Sequence, residues 1–340
     1  MRRGARPDAR LPLRQVRARA TNDRSSVTRY IVQKLFSLVL VLLGISIVVF
    51  YMIRLVPGDV VDFLYGQYMG SERMNEIRAL WGLDRPLVVQ YLDWMGRVLQ
   101  LDFGRSLVSG RAISEEIVTR LPVTLHLSFM AGLWSVAFGI TLGVIAARFP
   151  NGKIDGMVTT IGMLGLATPH FWLATLLVLV FAVYLGVLPS IGYVPLLEDP
   201  IESTRSLILP ALALGTTMAA AVMRMTRSAM LEVLSHDYIR TARAKGVAER
   251  GVFSRHALKN AFIPVLTLIG TETGKLLGGS LIIEQIFAVP GIGQYAVEAV
   301  LSRDYPVLQA TMLVIASSYV IINTLADIGY GVIDPRVRYD

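Results

Sequence analysis

Three groups of residues have the types and spacing to do chemistry. Glu272 and Lys275 stand three apart inside the long, largely apolar run 261–288. That spacing puts both on one helix face, where they can pair, and ionisable groups within such runs mark pathways by default. Two readings stand: they line a path across a membrane and meet the charged ends of a zwitterionic solute, or they form a structural pair facing another helix. The same stretch, Gly270 to Lys275, reads G-T-E-T-G-K and comes close to a phosphate-binding loop. Such a loop needs four residues between its glycines and Ser or Thr after the lysine. Here there are three, Leu276 follows, and no soluble strand precedes, so the chain holds no ATP site of its own. The third group is the charged stretch Asp237–Gly246 between two long apolar runs. Enzyme constellations are missing. The chain has no Cys, which removes disulfides, thiolate catalysis and Cys-ligated metals. Its histidines, His126, His170, His236 and His256, sit in no H-E-x-x-H motif, and no G-x-S-x-G occurs. Each reads as a packing or interfacial residue, with no catalytic residue and no metal site.

The elements that hold these groups follow from hydropathy. Of 340 residues, 54% are apolar and 17% charged, against about 25% charged in a soluble domain. The excess lies in long runs, and about 20 apolar residues cross the hydrocarbon. The runs are 35–53, 122–147, 157–187, 207–226, 261–288 and 307–331, giving six spans. The fifth is the most polar, carrying Glu272, Lys275 and Glu284. Backbone in lipid must satisfy its own hydrogen bonds, so these are helices. The alternating segments of a barrel do not occur. The first run is too long for a signal-peptide core and reads as a retained anchor. With the N-terminus inside, the inner pieces 1–34, 148–156, 227–260 and 332–340 hold ten, two, seven and two basic residues. The outer segment 54–121 balances eight basic residues with nine acidic ones. The positive-inside rule therefore places both termini in the cytoplasm. The net charge of +8 reflects this asymmetry and not a nucleic-acid partner.

The chain divides into a basic tail 1–28, expected to be disordered, a first span 29–54, an outer segment 55–121, a core 122–331 with five spans, and a C-terminus 332–340. In the outer segment Pro57, Gly58 and Asp59 break the first span. Ser71 starts a helix over 72–81 that Gly82 ends. Leu87, Tyr91, Trp94, Val98 and Leu101 then recur at helical spacing. That stripe packs on the spans, lies at the membrane surface, or docks an extracytoplasmic partner. In the inner loop 227–260, Ser235 is the expected N-cap, Asp237 falls in the first turn where the helix dipole favours a carboxylate, and Gly246 ends the helix. Tyr238, Ile239 and Ala242 form a small apolar face beside Arg240, Arg243 and Lys245. So short a helix is marginal alone and needs the membrane surface or a partner. Gly270, Gly274 and Gly278, and likewise Gly139 and Gly143, recur every four residues as helix-packing stripes. Pro169 should loosen the third span locally.

Val222–Leu234 followed by Asp237–Gly246 resembles the coupling region of binding-protein-dependent ABC permeases. The likeness is greatest to the B-type permease subunit of dipeptide, oligopeptide and glutathione importers. It runs from about Tyr30 to Arg338 and includes Arg54–Asp59, Trp81–Pro86, Asp102–Ser106, Pro290–Gly293 and Arg303–Pro306. Aligned on Gly246, the family's E-A-A position holds Arg240, Thr241 and Ala242, and Lys259 replaces a proline. Only Ala242, Gly246 and Leu258 fit that pattern.

The resemblance implies an all-α membrane protein with the type I ABC importer transmembrane fold and an extracytoplasmic helical insertion after the first helix. It implies a bacterial inner-membrane location, no cofactor on this chain, and ATP and Mg on partner subunits. The implied partners are a homologous second permease, two ATP-binding cassette ATPases, an extracytoplasmic solute-binding protein and membrane lipid. Asp237, Tyr238, Ile239, Arg240, Ala242, Arg243 and Gly246 would then couple to the ATPase, with Tyr238 and Ile239 as anchors in its cleft. The implied solute is a short peptide. A nickel chelate, glutathione or an oligosaccharide are alternatives. An ion-driven transporter is the main rival, and it would show internal repeats and more midplane carboxylates.

Overall fold

In this computed structural model, the described residues are 13–55, 61, 70–80 and 82–333. Long apolar runs become helices, as lipid requires. Helix α1 spans Leu13–Arg54, α2 Ser71–Leu80, α3 Leu87–Val98 and α4 Ile113–Arg148. Next come α5 (Lys153–Ala167), α6 (His170–Leu177, continued as a π-helix over Val178–Tyr184) and α7 (Pro200–Leu234). The last are α8 (Asp237–Ala244), α9 (Leu258–Ile286), α10 (Ile292–Ser302) and α11 (Tyr305–Ile333). A bridge between Arg105 and Ala112 is the sole β feature among the described residues. The start of α7 shows how local sequence sets a boundary. Pro200 occupies the first turn, and the Asp199 carboxylate caps it by accepting from Ile201 N and Glu202 N, each at 3.0 Å.

Several expectations change. α1 runs back to Leu13, into the segment read as a disordered tail, while residues 1–12 lie outside the described residues. The proposed break at Pro57, Gly58 and Asp59 also lies outside them. The third apolar run is not one helix. α5 and α6 meet at Thr168 and Pro169 with a bend of 108°. Proline removes an N–H and restricts the residue before it, so Pro169 breaks the helix instead of loosening it. By length and composition α1, α4, α7 and α11 can cross a membrane, and the bent pair makes a fifth. α9 carries the one remaining expected span, the fifth run. It has 29 residues, about 44 Å at the usual helical rise, but is too polar to qualify on composition.

The centre of the bundle is α7, the most buried of the candidate spans. α4 lies against it at glycines. A Cβ on Gly139 would come within 2.8 Å of Val222 Cβ, and one on Gly143 within 2.6 Å of Thr226 Cβ. From the other side, a Cβ on Gly215 would meet Ala131 O at 2.6 Å. Small residues let helices approach closely where lipid offers no hydrophobic drive. Leu127, Leu207, Leu214, Val222, Ile283 and Phe287 fill the core between α4, α7 and α9. A second cluster closes the α10 end with Ile113, Ile117, Ile292 and Val307. A third closes the α8 end with Ala147, Met230, Ile239, Val252 and Ala261.

The segment after α1 packs back on it, as one reading of the stripe held. Tyr91 and Trp94 of α3 lie 5.3 and 5.5 Å from the Phe50 ring, and Tyr91 shares a 2.8 Å hydrogen bond with Ser46. Arg54 stacks over Phe50 at 3.5 Å and donates to Gln90 Oε1. Leu87 and Leu101, the ends of the stripe, stay exposed. Gly82, at φ +68°, follows α2 as expected.

Candidate functional site

The charged loop at the α8 end is built on a short helix. α8 has the eight residues Asp237–Ala244. Its N-cap is His236, not Ser235. Ser235 instead caps the C-terminus of α7, and its hydroxyl donates to Glu232 O at 2.6 Å. Asp237 does sit in the first turn, 3.5 Å from Arg240. At the other end Gly246 N donates to Arg243 O at 2.9 Å and Val247 N to Ala242 O at 3.2 Å. That pair of bonds is a Schellman termination, and it requires a left-handed residue. Gly246 supplies it at φ +77°. A Cβ there would meet nothing within 4 Å. Glycine is therefore needed here for its backbone conformation, and it ends the helix as the sequence suggested.

The apolar face of α8 turns toward its own chain. Ile239 is fully buried against Ala147, Met230, Val252, Ala257 and Ala261, and Ala242 is nearly buried too. This corrects the reading of Ile239 as an anchor in a partner's cleft: it fastens α8 to the ends of α4, α7 and α9. Tyr238 stays partly exposed, its hydroxyl accepting from Asn260 Nδ2 at 2.8 Å and its ring edge-on to His236. Arg243 binds Glu249 at 2.7 Å. What remains outward is Asp237, Tyr238, Arg240, Thr241 and Lys245. A cavity of about 380 Å³ opens beside this loop, lined by Arg148, Phe149, Leu231, Leu234, Arg243 and Phe253.

Within α9, Lys275 Nζ donates to Glu272 Oε1 at 2.6 Å. The expected i,i+3 pair is formed. The segment that mimics a phosphate loop is the middle of this helix, with its amides committed to helical bonds. The glycine stripe behaves unevenly. Gly270 and Gly274 are buried, and a Cβ on Gly274 would meet the Asn323 side chain at 2.5 Å. Gly278 is exposed with nothing within 4 Å, so the close seam does not reach it. It instead lines an apolar cavity of about 700 Å³ between α1, α9, α10 and α11.

Three buried carboxylates organise the bundle and were not anticipated from sequence. Glu284, fully buried on α9, accepts from Thr124 Oγ1 at 2.7 Å and from Gln294 N at 2.9 Å. Thr124 Oγ1 accepts in turn from Ile292 N at 2.9 Å. The N-terminal amides of α10, with their partial positive charge, are thus met by a carboxylate and a hydroxyl from two other helices. Gly291 and Gly293 are small because a Cβ on either would collide with Glu284. Asp304, between α10 and α11, accepts from Ser106 Oγ at 2.5 Å and from Leu107 N at 3.3 Å. The segments Asp102–Ser106 and Arg303–Pro306, about two hundred residues apart, are therefore one contact. Asp155 of α5 grips Arg227 of α7 through two bonds of 2.6 and 2.7 Å. The signal for Glu284 was present in the Pro290–Gly293 turn, whose glycines mark a close approach, but nothing local names the residue approaching.

The comparisons with known proteins agree with this architecture. The family described as "Binding-protein-dependent transport system inner membrane component" matches residues 139–339, and its N-terminal companion matches residues 27–128. A Brucella abortus (strain 2308) protein, provisionally named a peptide transport system permease, is 45% identical over 314 residues, covering 92% of this chain and all of that protein. The glutathione transport system permease protein GsiC of Salmonella typhimurium is 41% identical over 310 residues, covering 91% of this chain and 99% of its own. Among solved structures, one described as inward-facing conformations of the MetNI methionine ABC transporter superposes with a TM-score of 0.52 at 19% identity, over 65% of this chain and 96% of that one. That likeness shows the fold, the type I ABC transporter transmembrane domain. With the family matched across its core and relatives matched end to end, the chain belongs to the inner-membrane permease components of binding-protein-dependent ABC importers.

Proposed function

We propose that this chain works as one of two permease subunits in an ATP-driven importer of short peptides. Two ATPase subunits carry ATP and Mg, and an extracytoplasmic binding protein delivers the solute. The substrate reading is carried by the relatives matched over their full length, which are named for a peptide and for glutathione, itself a tripeptide. The basic residues of the inner pieces favour both termini in the cytoplasm. In that orientation α8 lies on the side where the ATPases would bind.

The construction of α8 supports a coupling role. Because Ile239 locks it into the ends of α4, α7 and α9, a displacement of α8 moves those ends with it. Its outward Tyr238, Arg240 and Lys245 offer an aromatic and cations to a partner, while Asp237 and Arg243 set the local geometry through Arg240 and Glu249. ATPase closure would then rock the bundle between inward- and outward-open states. The test is ATP-dependent uptake of labelled tripeptides by proteoliposomes containing the purified complex with its binding protein. Uptake that continues with the ATPases left out, or a complex that hydrolyses ATP in response to its binding protein but accepts no peptide, overturns the proposal.

A further inference from the structure

The exposed faces of the long helices are not alike. α1 presents Val32, Phe36, Val39, Leu43 and Ile47, and α4 presents Val118, Leu125, Phe129, Leu133 and Phe138. These are hydrocarbon faces, as lipid demands. From Thr267 onward the exposed residues of α9, Thr267, Thr271, Lys275, Gly278, Ile282 and Gln285, follow one another by three or four positions and so form a single stripe. Four of its five side chains are polar, and Gly278 between them opens on the apolar cavity beside α1 and α11. The stripe lies level with the middle of the bundle. On neighbouring faces of the same turns, Leu276 reaches Gly132 near the middle of α4, and Gly279 abuts Leu214 of α7. Polar and charged groups at that depth face water or a polar partner, not acyl chains.

At the centre of the stripe the ion pair is lopsided. Glu272 is tucked in at 16% exposure and Lys275 stands out at 61%. Of the ammonium's three donors, one goes to Glu272 Oε1. The hydroxyls of Thr267 and Thr271 donate back to Ile263 O and Leu268 O, which leaves their lone pairs outward.

We propose that this stripe is the solute-facing wall of the translocation path, and that Lys275 binds the terminal carboxylate of the passing peptide. Glu272 is a positioning residue that holds the ammonium and neutralises it when the path is empty. The threonine oxygens accept from the peptide's N–H groups. Because the cation already shares its charge with Glu272, the carboxylate is held weakly enough to leave, as transport requires. This rests on the peptide-import reading and deepens it by naming the solute group recognised.

The chain has no native cysteine, so single-cysteine labelling on it is clean. In the assembled complex with its ATPases, the Lys275→Cys and Thr271→Cys variants should react with a membrane-impermeant methanethiosulfonate reagent. Val39→Cys on the lipid face of α1 should not. In proteoliposomes, Lys275→Gln should lower uptake of trialanine about tenfold or more, the size of one charge-assisted hydrogen bond, and leave trialanine amide within about twofold of wild type. Lys275→Arg should restore the preference for the free acid. Unreactive cysteines at 271 and 275 would mean the second subunit or lipid covers this face, and would overturn the proposal. Equal loss of acid and amide uptake in Lys275→Gln would overturn the carboxylate assignment. If the complex carried no peptide at all, the functional reading would fail, while the labelling pattern would still report on the path.

Discussion

Replacing Glu284 tests the tertiary logic most directly. Both of its oxygens accept hydrogen bonds in a site with no exposure, from Thr124 Oγ1 and from Gln294 N. Alanine there would orphan one buried donor and one part-buried donor, at about 1–3 kcal/mol for the buried one and less for the other, and remove a carboxylate from a helix N-terminus, up to ~2 kcal/mol in partly buried geometry. Relief from burying the charge offsets part of this, so a net loss of about 3 kcal/mol is expected. Because the loss is local to the start of α10, it appears as opening of that turn. At about 1.4 kcal/mol per tenfold, the amides of 292–296 should exchange roughly a hundredfold faster by hydrogen–deuterium exchange mass spectrometry. Those in the middle of α7 should not change. Thr124→Val should give a smaller increase at the same amides, and the double variant less than the sum, because the groups share one network. Gly291→Ala should be destabilising in the native background, where its Cβ meets Glu284, and better tolerated beside Glu284→Ala. Wild-type exchange at 292–296 in Glu284→Ala, or a loss spread evenly over the bundle, would refute the account.

Other outcomes follow from the same geometry. Gly246→Val forces a branched residue into φ +77°, at about 1–2 kcal/mol. It should uncouple ATP hydrolysis from transport while Gly246→Asn, which tolerates that conformation, retains coupling; equal coupling in both would refute the termination argument. Ser106→Ala removes a buried bond to Asp304, worth about 1–3 kcal/mol, and limited proteolysis should cut the loop 101–112 faster, with an unchanged cleavage rate counting against the tether. Gly143→Val places methyls against Thr226 and Met223, an overpacking of about 1–3 kcal/mol or more. The complex should melt at lower temperature in detergent, and an unaltered Tm would show that the α4–α7 contact is looser than described.

Much of this protein was readable from order and spacing along the chain. Apolar runs of spanning length can only be helices in lipid, so the all-helical fold followed from hydropathy. Asp237 and Gly246 bounded α8 because helix ends obey local backbone rules, and Glu272 and Lys275 paired because they are one turn apart. Interactions across the chain were a different matter. Whether Ile239 faced a partner or its own bundle depended on where α4, α7 and α9 end in space. That Pro169 breaks a span by 108°, instead of relaxing it, depended on the surroundings that hold the bend. Glu284 looked only like a flaw in a membrane helix until Thr124, 160 positions away, and the start of α10 were brought to it. The contact of Asp304 with Ser106 likewise joins two short segments whose neighbourhood no local pattern reveals. Sequence determined what each segment must be, because lipid and backbone act on every residue nearby in the chain. Tertiary structure alone decided which side chains meet, because a buried charge is settled by the partners that packing delivers to it.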